Sequence, residues 1–520
     1  MSLPNLAIAH YHLGHGGVTR VIANHLKALD AVLKADEQLD VALLHGGRDD
    51  GWPGDLAASF GQLRVRLHAL PELAYDEGVD ASPDSLTASI KRLLQTIGFS
   101  KDETVLHIHN HSLGKNISLP GAVRRLASDG WRLLLQPHDF AEDFRSANYV
   151  RLATALADGS PEKLGAELYP LADHVHYAVL NSRDRAWFAE TGIVDDHLHL
   201  LPNPVPDLGE IPPSGPAKAV LERELGIPAS RPLLLYPVRA IRRKNVGEAI
   251  LWSALLAGRA TVGVSLPTLN PAEVESYRHW RQLVDVLALP FVFETGARSS
   301  LRYTDCLAAS DAILTTSLAE GFGMVFLESW LAGRRLLGRD LPEITGDFVN
   351  AGVDLAALQP SLKIPVSLVA LDDLRERMVA IFRRLIRNYR LPVPSEEELE
   401  RAFCQRVGAT VDFGDLDESL QRAVIVRVVQ ERSSRQAIAA ANPWIVDQWD
   451  QPAASFEGRI AANQDAIRSH FGLEALGQRL LNHYRSIAKQ PVGASVESVP
   501  NSAALLRQFL AFSRFRLLRT

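Results

Sequence analysis

The chain has 520 residues, too many for one ordinary core, and its 47% hydrophobic and 22% charged content fits two or three packed domains, not a disordered chain. Lys and Arg number 55 against 61 Asp and Glu, so the net charge of −6 offers no overall basic field to hold nucleic acid. Only Cys306 and Cys404 occur, which argues against a disulfide framework and fits a reducing, cytoplasmic setting.

The N-terminal "MSLPNLAIAHYHLGHGG" lacks the basic, long apolar and cleavage pattern of a signal peptide. No run reaches the roughly 20 apolar residues that cross a bilayer. "NLAIAHYHLGHGG" reads as a short buried strand entering a Gly-rich turn, and "VTRVIANHLKALDAVL" follows with helical spacing. "DVALLHGG", "TVLHIHNHS", "WRLLLQPHDF" and "YAVLNS" are further apolar runs ending in polar loops, with helical stretches such as "DSLTASIKRLLQTIGF" and "GAVRRLASDG" between them. This alternation predicts a parallel, doubly wound sheet. The prolines of "LLPNPVPDLGEIPPSGPAKA" mark a domain linker, after which the pattern restarts with "PLLLYPV", "TVGVSL", "PFVFETG", "DAILTTS" and "RRLLGRD". From about residue 370 to 485 the chain reads as mostly helical. The last segment, "LLRQFLAFSRFRLLRT", sets four arginines among apolar residues and fits either a packed terminal helix or weak contact with an anionic membrane surface.

Two doubly wound domains place ligands at the carboxyl ends of their strands, so candidate site residues are sought in the loops that follow them. After "DAILTTS" comes "LAEGFGMVFLESW". Gly321 and Gly323 turn the chain around Phe322, and a helix is expected to begin near Gly323 and carry Met324 and Val325, its first amides forming an anion site. Glu320 precedes this helix and Glu328 lies inside it, spaced to accept hydroxyl hydrogens along a ligand several ångströms long. In "YPVRAIRRKNVGEAI" Arg239 and Lys244 follow a strand and suit a diphosphate, with Arg242 and Arg243 nearby. The plainer alternative is a solvated basic loop.

Gly16 and Gly17, between the first strand and the first helix, resemble a phosphate-binding turn, but "GHGGVT" lacks the third glycine of a dinucleotide fingerprint. "LHIHNHS" sets His107, His109 and His111 at alternate positions, a zinc set if the strand continues, with Asn110 among them. His138 and Asp139 in "QPHDF" close another strand, and His138 reads as a hydrogen-bonding group to substrate. "VDFGDLDES" contains Asp415 and Asp417 at metal-site spacing, but no kinase or Walker sequence accompanies it, and the acids read as helix caps, with Asp415 and Glu418 at capping-box spacing.

Together these segments resemble the retaining family 4 glycosyltransferases of the GT-B fold. Glu320 and Glu328 match the family's E-x7-E motif, and Arg239 and Lys244 match its "GRL…KG" loop with Val238 in place of the glycine. Gly16 and Gly17 match its first-strand turn, His138 the histidine of its "HD" loop, and "LPNPV" its "NGV" segment. "GRDLPEI" is similar to its "GGLPEI" loop, with Asp340 where glycine is usual, and residues 455–488 are similar to its closing helices. Residues 346–454 and those after 489 have no counterpart.

The resemblance implies a fold of two Rossmann-like domains: residues 1–206 on the acceptor side, and 207–480 on the donor side with a helical extension at about 346–454. A C-terminal tail, 481–520, is expected to pack on the first domain. It implies metal-independent transfer of a hexose, with retention, from a nucleotide diphosphate sugar, UDP-glucose or GDP-mannose, to a hydroxyl acceptor such as a sugar or sugar acid. Glu328 would then hold the ribose, Glu320 the sugar, Arg239 and Lys244 the diphosphate, and His138 the sugar or acceptor edge. Gly16, Gly17 and residues Gly321 to Val325 would line the donor, and His109, Asn110, His111 and Asp139 the acceptor side. No cofactor is expected. A nucleotide-sugar-binding protein without turnover and a His-cluster metallohydrolase remain the alternatives.

Overall fold

The computed structural model describes residues 3–76 and 82–520. The chain forms two compact units, one of Met1–Pro206, Arg384–Val393 and Arg468–Ala511, the other of Asp207–Arg383, Pro394–Ile467 and Phe512–Thr520. The tail expected as one piece over 481–520 is divided at 511. Phe515, Leu517 and Leu518 are buried in the second unit, and Leu505, Leu506 and Phe509 in the first.

The first unit holds a seven-stranded parallel sheet in the order Leu63–Ala69, Leu39–His45, Asn5–His10, Thr104–His109, Arg132–Gln136, Val175–Val179, Leu198–Leu200. Its inner strands are continuous apolar runs because both faces are covered. The edge strand Leu63–Ala69 alternates instead, with Arg64 and Arg66 among apolar residues, as an edge with one covered face requires. Neither edge strand stood out in the sequence. Helices Gly17–Val32 and Leu473–Ile487 pack together. They meet at Gly477, where a Cβ would lie 2.0 Å from Ala28 O. Only glycine lets two helix backbones approach that closely.

The second unit has a five-stranded parallel sheet in the order Phe291–Phe293, Thr261–Leu266, Leu233–Arg239, Ala312–Thr315, Leu336–Gly338. The order reverses between Leu233–Arg239 and Ala312–Thr315, and in the first unit between Asn5–His10 and Thr104–His109. Such a switch point opens a crevice at the strand ends, where a doubly wound sheet receives ligands. The two loops singled out around Lys244 and Glu320 follow these two adjacent strands.

Two local expectations are corrected. The helix after Gly323 is Val325–Leu331, only seven residues. The amides of Phe326, Leu327 and Glu328 already donate to Gly323 O and Met324 O, at 3.0, 3.0 and 2.8 Å. Those three amides are not free to receive an anion, which leaves only the amides before them for that role, and a two-turn helix has little dipole to lend. Gly323 itself needs to be glycine, with φ of +87° and a Cβ position 2.6 Å from the Phe326 ring. The helix Glu418–Gln430 is capped by Asp417, which accepts from the amides of Ser419 and Leu420, and not by Asp415. Asp415 is buried against Arg406 and Arg516.

Candidate active site

In the second unit, Lys244 ends a single 3-10 turn, Arg242–Lys244, that follows the central strand. Its carbonyl accepts from Tyr236 Oη at 3.0 Å and Thr316 Oγ1 at 2.9 Å, so both neighbouring strands fix where the lysine leaves the backbone. Asn245, at φ +51°, turns the chain into the next helix, a conformation asparagine tolerates better than most residues. Lys244 Nζ forms an ion pair with Glu320 Oε1, and Arg243 Nη1 lies 3.2 Å from the other oxygen while donating to Ala319 O at 3.0 Å. Glu320 is 9% and Lys244 13% exposed at the side chain, so the pair sits at low dielectric. Burial acts to raise the Glu320 carboxyl, but Lys244 and Arg243 together hold it at about 2. Burial pulls Lys244 down from its ordinary value, and Glu320 opposes that. These are one effect: a buried carboxylate kept ionised by two cations.

Glu328 is buried one turn into Val325–Leu331 and accepts from Tyr303 Oη at 3.0 Å. Arg239 is half-buried at the end of its strand and has no ion-pair partner among the described residues. Beneath this layer Arg339, 2% exposed, donates to both oxygens of Asp412 at 2.8 and 2.7 Å and also pairs with Glu248. Glu248 in turn accepts from Asn245 Nδ2 at 2.7 Å, and Gln421 donates to Asn245 Oδ1 at 2.9 Å. The helical extension thus braces the Lys244 turn through Asp412 and Gln421.

In the first unit, Asn110 is the organiser. At φ +57° it ends the strand Thr104–His109, and its Oδ1 accepts from the amides of His138 and Asp139 at 2.6 and 3.1 Å. His109 Nδ1 lies 2.8 Å from His138 Nε2, and Asp139 is paired with Arg145 at 2.6 Å. Burial lowers His138 to about 4, with Asp139 opposing, so its ring is neutral at pH 7. His111 does not join His107 and His109: the strand stops at His109, and His111 turns away to bond Leu168 O at 3.0 Å. Gly16 and Gly17 stand exposed at the start of a sixteen-residue helix, with no side-chain cap.

The structure therefore brings Lys244 and Glu320 together, sets Arg239 and Glu328 on the same two strand-following segments, and gathers His109, Asn110, His138 and Asp139 in the other unit. Sequence reading gave Arg243 no more than a neighbour's place, and it missed Tyr303 and the Arg339–Asp412 brace. The brace joins residues 73 apart in the chain, beyond any local spacing.

No protein-family model matches the chain. Over 356 residues it is 27% identical to mannosylglucosyl-3-phosphoglycerate synthase of Petrotoga mobilis, covering 66% of each protein. The match thus spans about two thirds of that relative's length. Among solved structures, a glycosyltransferase from Rickettsia africae aligns over 94% of this chain and 100% of its own, at 12% identity and a TM-score of 0.54. Anabaena HepE in complex with UDP and glucose aligns over 93% and 100%, at 13% identity and a TM-score of 0.50. This likeness is one of fold. The chain has the GT-B architecture, and the resemblance to glycosyltransferases of that fold read from its motifs is borne out.

Proposed function

We propose that the protein is a glycosyltransferase that moves a hexose from a nucleotide diphosphate sugar to a small polar hydroxyl acceptor, with retention and without a metal ion. The observation that carries this reading is the Arg243–Lys244–Glu320 cluster at the switch point of the second sheet, with Arg239 and Glu328 on the same segments.

Lys244 and Glu320 hold each other, so a diphosphate that takes Lys244 frees the Glu320 carboxylate to grip sugar hydroxyls. Arg239, with no carboxylate partner among the described residues, supplies a planar fork for the same diphosphate. As the glycosidic bond breaks, negative charge grows on the leaving diphosphate, and fixed cations that need no reorganisation stabilise it. Glu328 accepts from the ribose hydroxyls, oriented by Tyr303. His138, neutral and with Nε2 engaged by His109, offers Nδ1 as a hydrogen-bonding group to the sugar or the acceptor. UDP-glucose and GDP-mannose are the favoured donors, and the UDP in the Anabaena complex supports the first. The relative's name, a synthase of a mannosylglucosyl phosphoglycerate, supports an anionic sugar acid as acceptor.

The experiment is a thermal-shift panel of nucleoside diphosphates and their hexose conjugates. A true donor stabilises the fold by mass action, by about 2.7 kcal/mol at a hundredfold excess over Kd, and so raises the melting temperature. No shift with any member overturns the reading.

A further inference from the structure

Beneath the first sheet's switch point lies a cluster of histidines that takes no direct part in the proposed transfer, His109 touching it only through its bond to His138. His107 and His109 sit at alternate positions of the strand Thr104–His109 and share a face. His25 reaches them from the helix Gly17–Val32, its ring 5.8 Å from His107 and 6.0 Å from His109. One nitrogen from each of the three lies within 4.8 Å of the other two, and all three side chains are 0% exposed. Both nitrogens of His25, and Nε2 of His109, are buried with no hydrogen-bond partner. A buried polar atom left unpartnered is destabilising, and an occupant that accepts lone pairs would satisfy one nitrogen of His25 and Nε2 of His109.

The surroundings fix the rings as a metal site would need. His138 Nε2 lies 2.8 Å from His109 Nδ1, and in the tautomer where His109 Nδ1–H donates to it the His109 Nε2 lone pair is free. Gln136 Oε1, 2.9 Å from His107 Nε2, accepts there and places the His107 lone pair on Nδ1. Tyr484 Oη stands 2.8 Å from that Nδ1 and donates to it, a bond that a bound ion would replace. Outer hydrogen bonds that set imidazole tautomers are the usual companions of metal-bound histidine.

We infer that His25, His107 and His109 form a buried, structural site for one borderline transition-metal ion, zinc being the type, that ties the first helix to the sheet. Neutral imidazoles suit zinc, which is held tetrahedrally, so a fourth ligand would complete the three histidines. Binding releases a proton from any ligand that carried one.

The test uses the full chain, expressed without a histidine tag in zinc-supplemented medium and passed through chelating resin. Elemental analysis is expected to find about one equivalent of zinc in the wild type, and prolonged chelation to lower the melting temperature. His25→Leu, which fills the space with an apolar side chain, is expected to lose the ion while still melting cooperatively. His199→Ala, at a separate histidine group, is expected to keep it. Should His25→Leu fail to fold, tetrahedral absorption bands from cobalt bound to the wild type decide the matter. Wild type that takes up neither zinc nor cobalt, or zinc lost with His199→Ala and kept with His25→Leu, overturns the inference.

Discussion

Lys244 and Glu320 form a largely buried ion pair, and Arg243 holds the second oxygen of the same carboxylate. Removing one member of such a pair leaves a charge in a medium that solvates it poorly, whereas replacing both by neutral groups of like shape does not. Lys244→Met should therefore destabilise the protein by about 3 kcal/mol, lessened by Arg243, while Lys244→Met with Glu320→Gln should recover most of the loss. Urea unfolding of the two singles and the double gives the coupling directly, expected at about 1–3 kcal/mol. Additive single effects would mean the pair has no energetic reality.

Glu328→Ala should weaken nucleoside diphosphate binding by about 1.5–3 kcal/mol, the range for hydrogen bonds to a charged group. Tyr303→Phe removes one bond to that carboxylate and should weaken binding by less, about 1 kcal/mol. Glu320→Ala should spare nucleotide affinity and damage turnover and the choice of donor sugar. Calorimetric titration separates the three. Unchanged affinity in Glu328→Ala would take that residue out of the site.

His176, His199 and His483 form a group in the first unit, with His176 Nδ1 and His199 Nε2 2.9 Å apart. Burial, then their mutual repulsion and the nearby His197 and Arg185, lower His199 to about 3, and burial lowers His176 and His483 to about 4. Arg185 is itself paired with Asp195, and Arg479 lowers His483 further. A histidine near 6.5 when unfolded and lower when folded takes up a proton on unfolding. Its stabilising contribution is complete above about pH 6.5 and is lost as pH falls toward 4. Wild-type stability should therefore fall between pH 6 and 5. His199→Gln should show a slope shallower by about 1 kcal/mol per pH unit. Identical slopes would show that His199 is not held neutral.

Much of this architecture is legible in the sequence because both sheets are built of short apolar runs buried on both faces, each followed by a polar loop. "DAILTTS" and "PLLLYPV" point directly to the two adjacent strands that carry Glu320 and Lys244. Leu63–Ala69 escapes the same reading because an edge strand with Arg64 and Arg66 on its open face lacks the continuous run. The extent of the helix after Gly323 also escapes, since "MVFLESWLAG" looks the same whether its first amides are free or already bonded. Tertiary partners are the other blind spot. His25 meets His107 and His109 only because the first helix lies across their strand, while His111, adjacent in sequence, turns away at Asn110.

The most direct measurement of the central claim is the anomeric NMR signal of the product formed from UDP-glucose or GDP-mannose with sugar-acid acceptors, over an assay in excess chelator too short to strip a buried ion. The account predicts an α-linked product from an α-linked donor, with chelator leaving the rate unchanged and Lys244→Ala lowering it by two to three orders of magnitude, about 3–4 kcal/mol. A β-linked product, or transfer that begins only when a divalent metal is added, would contradict it.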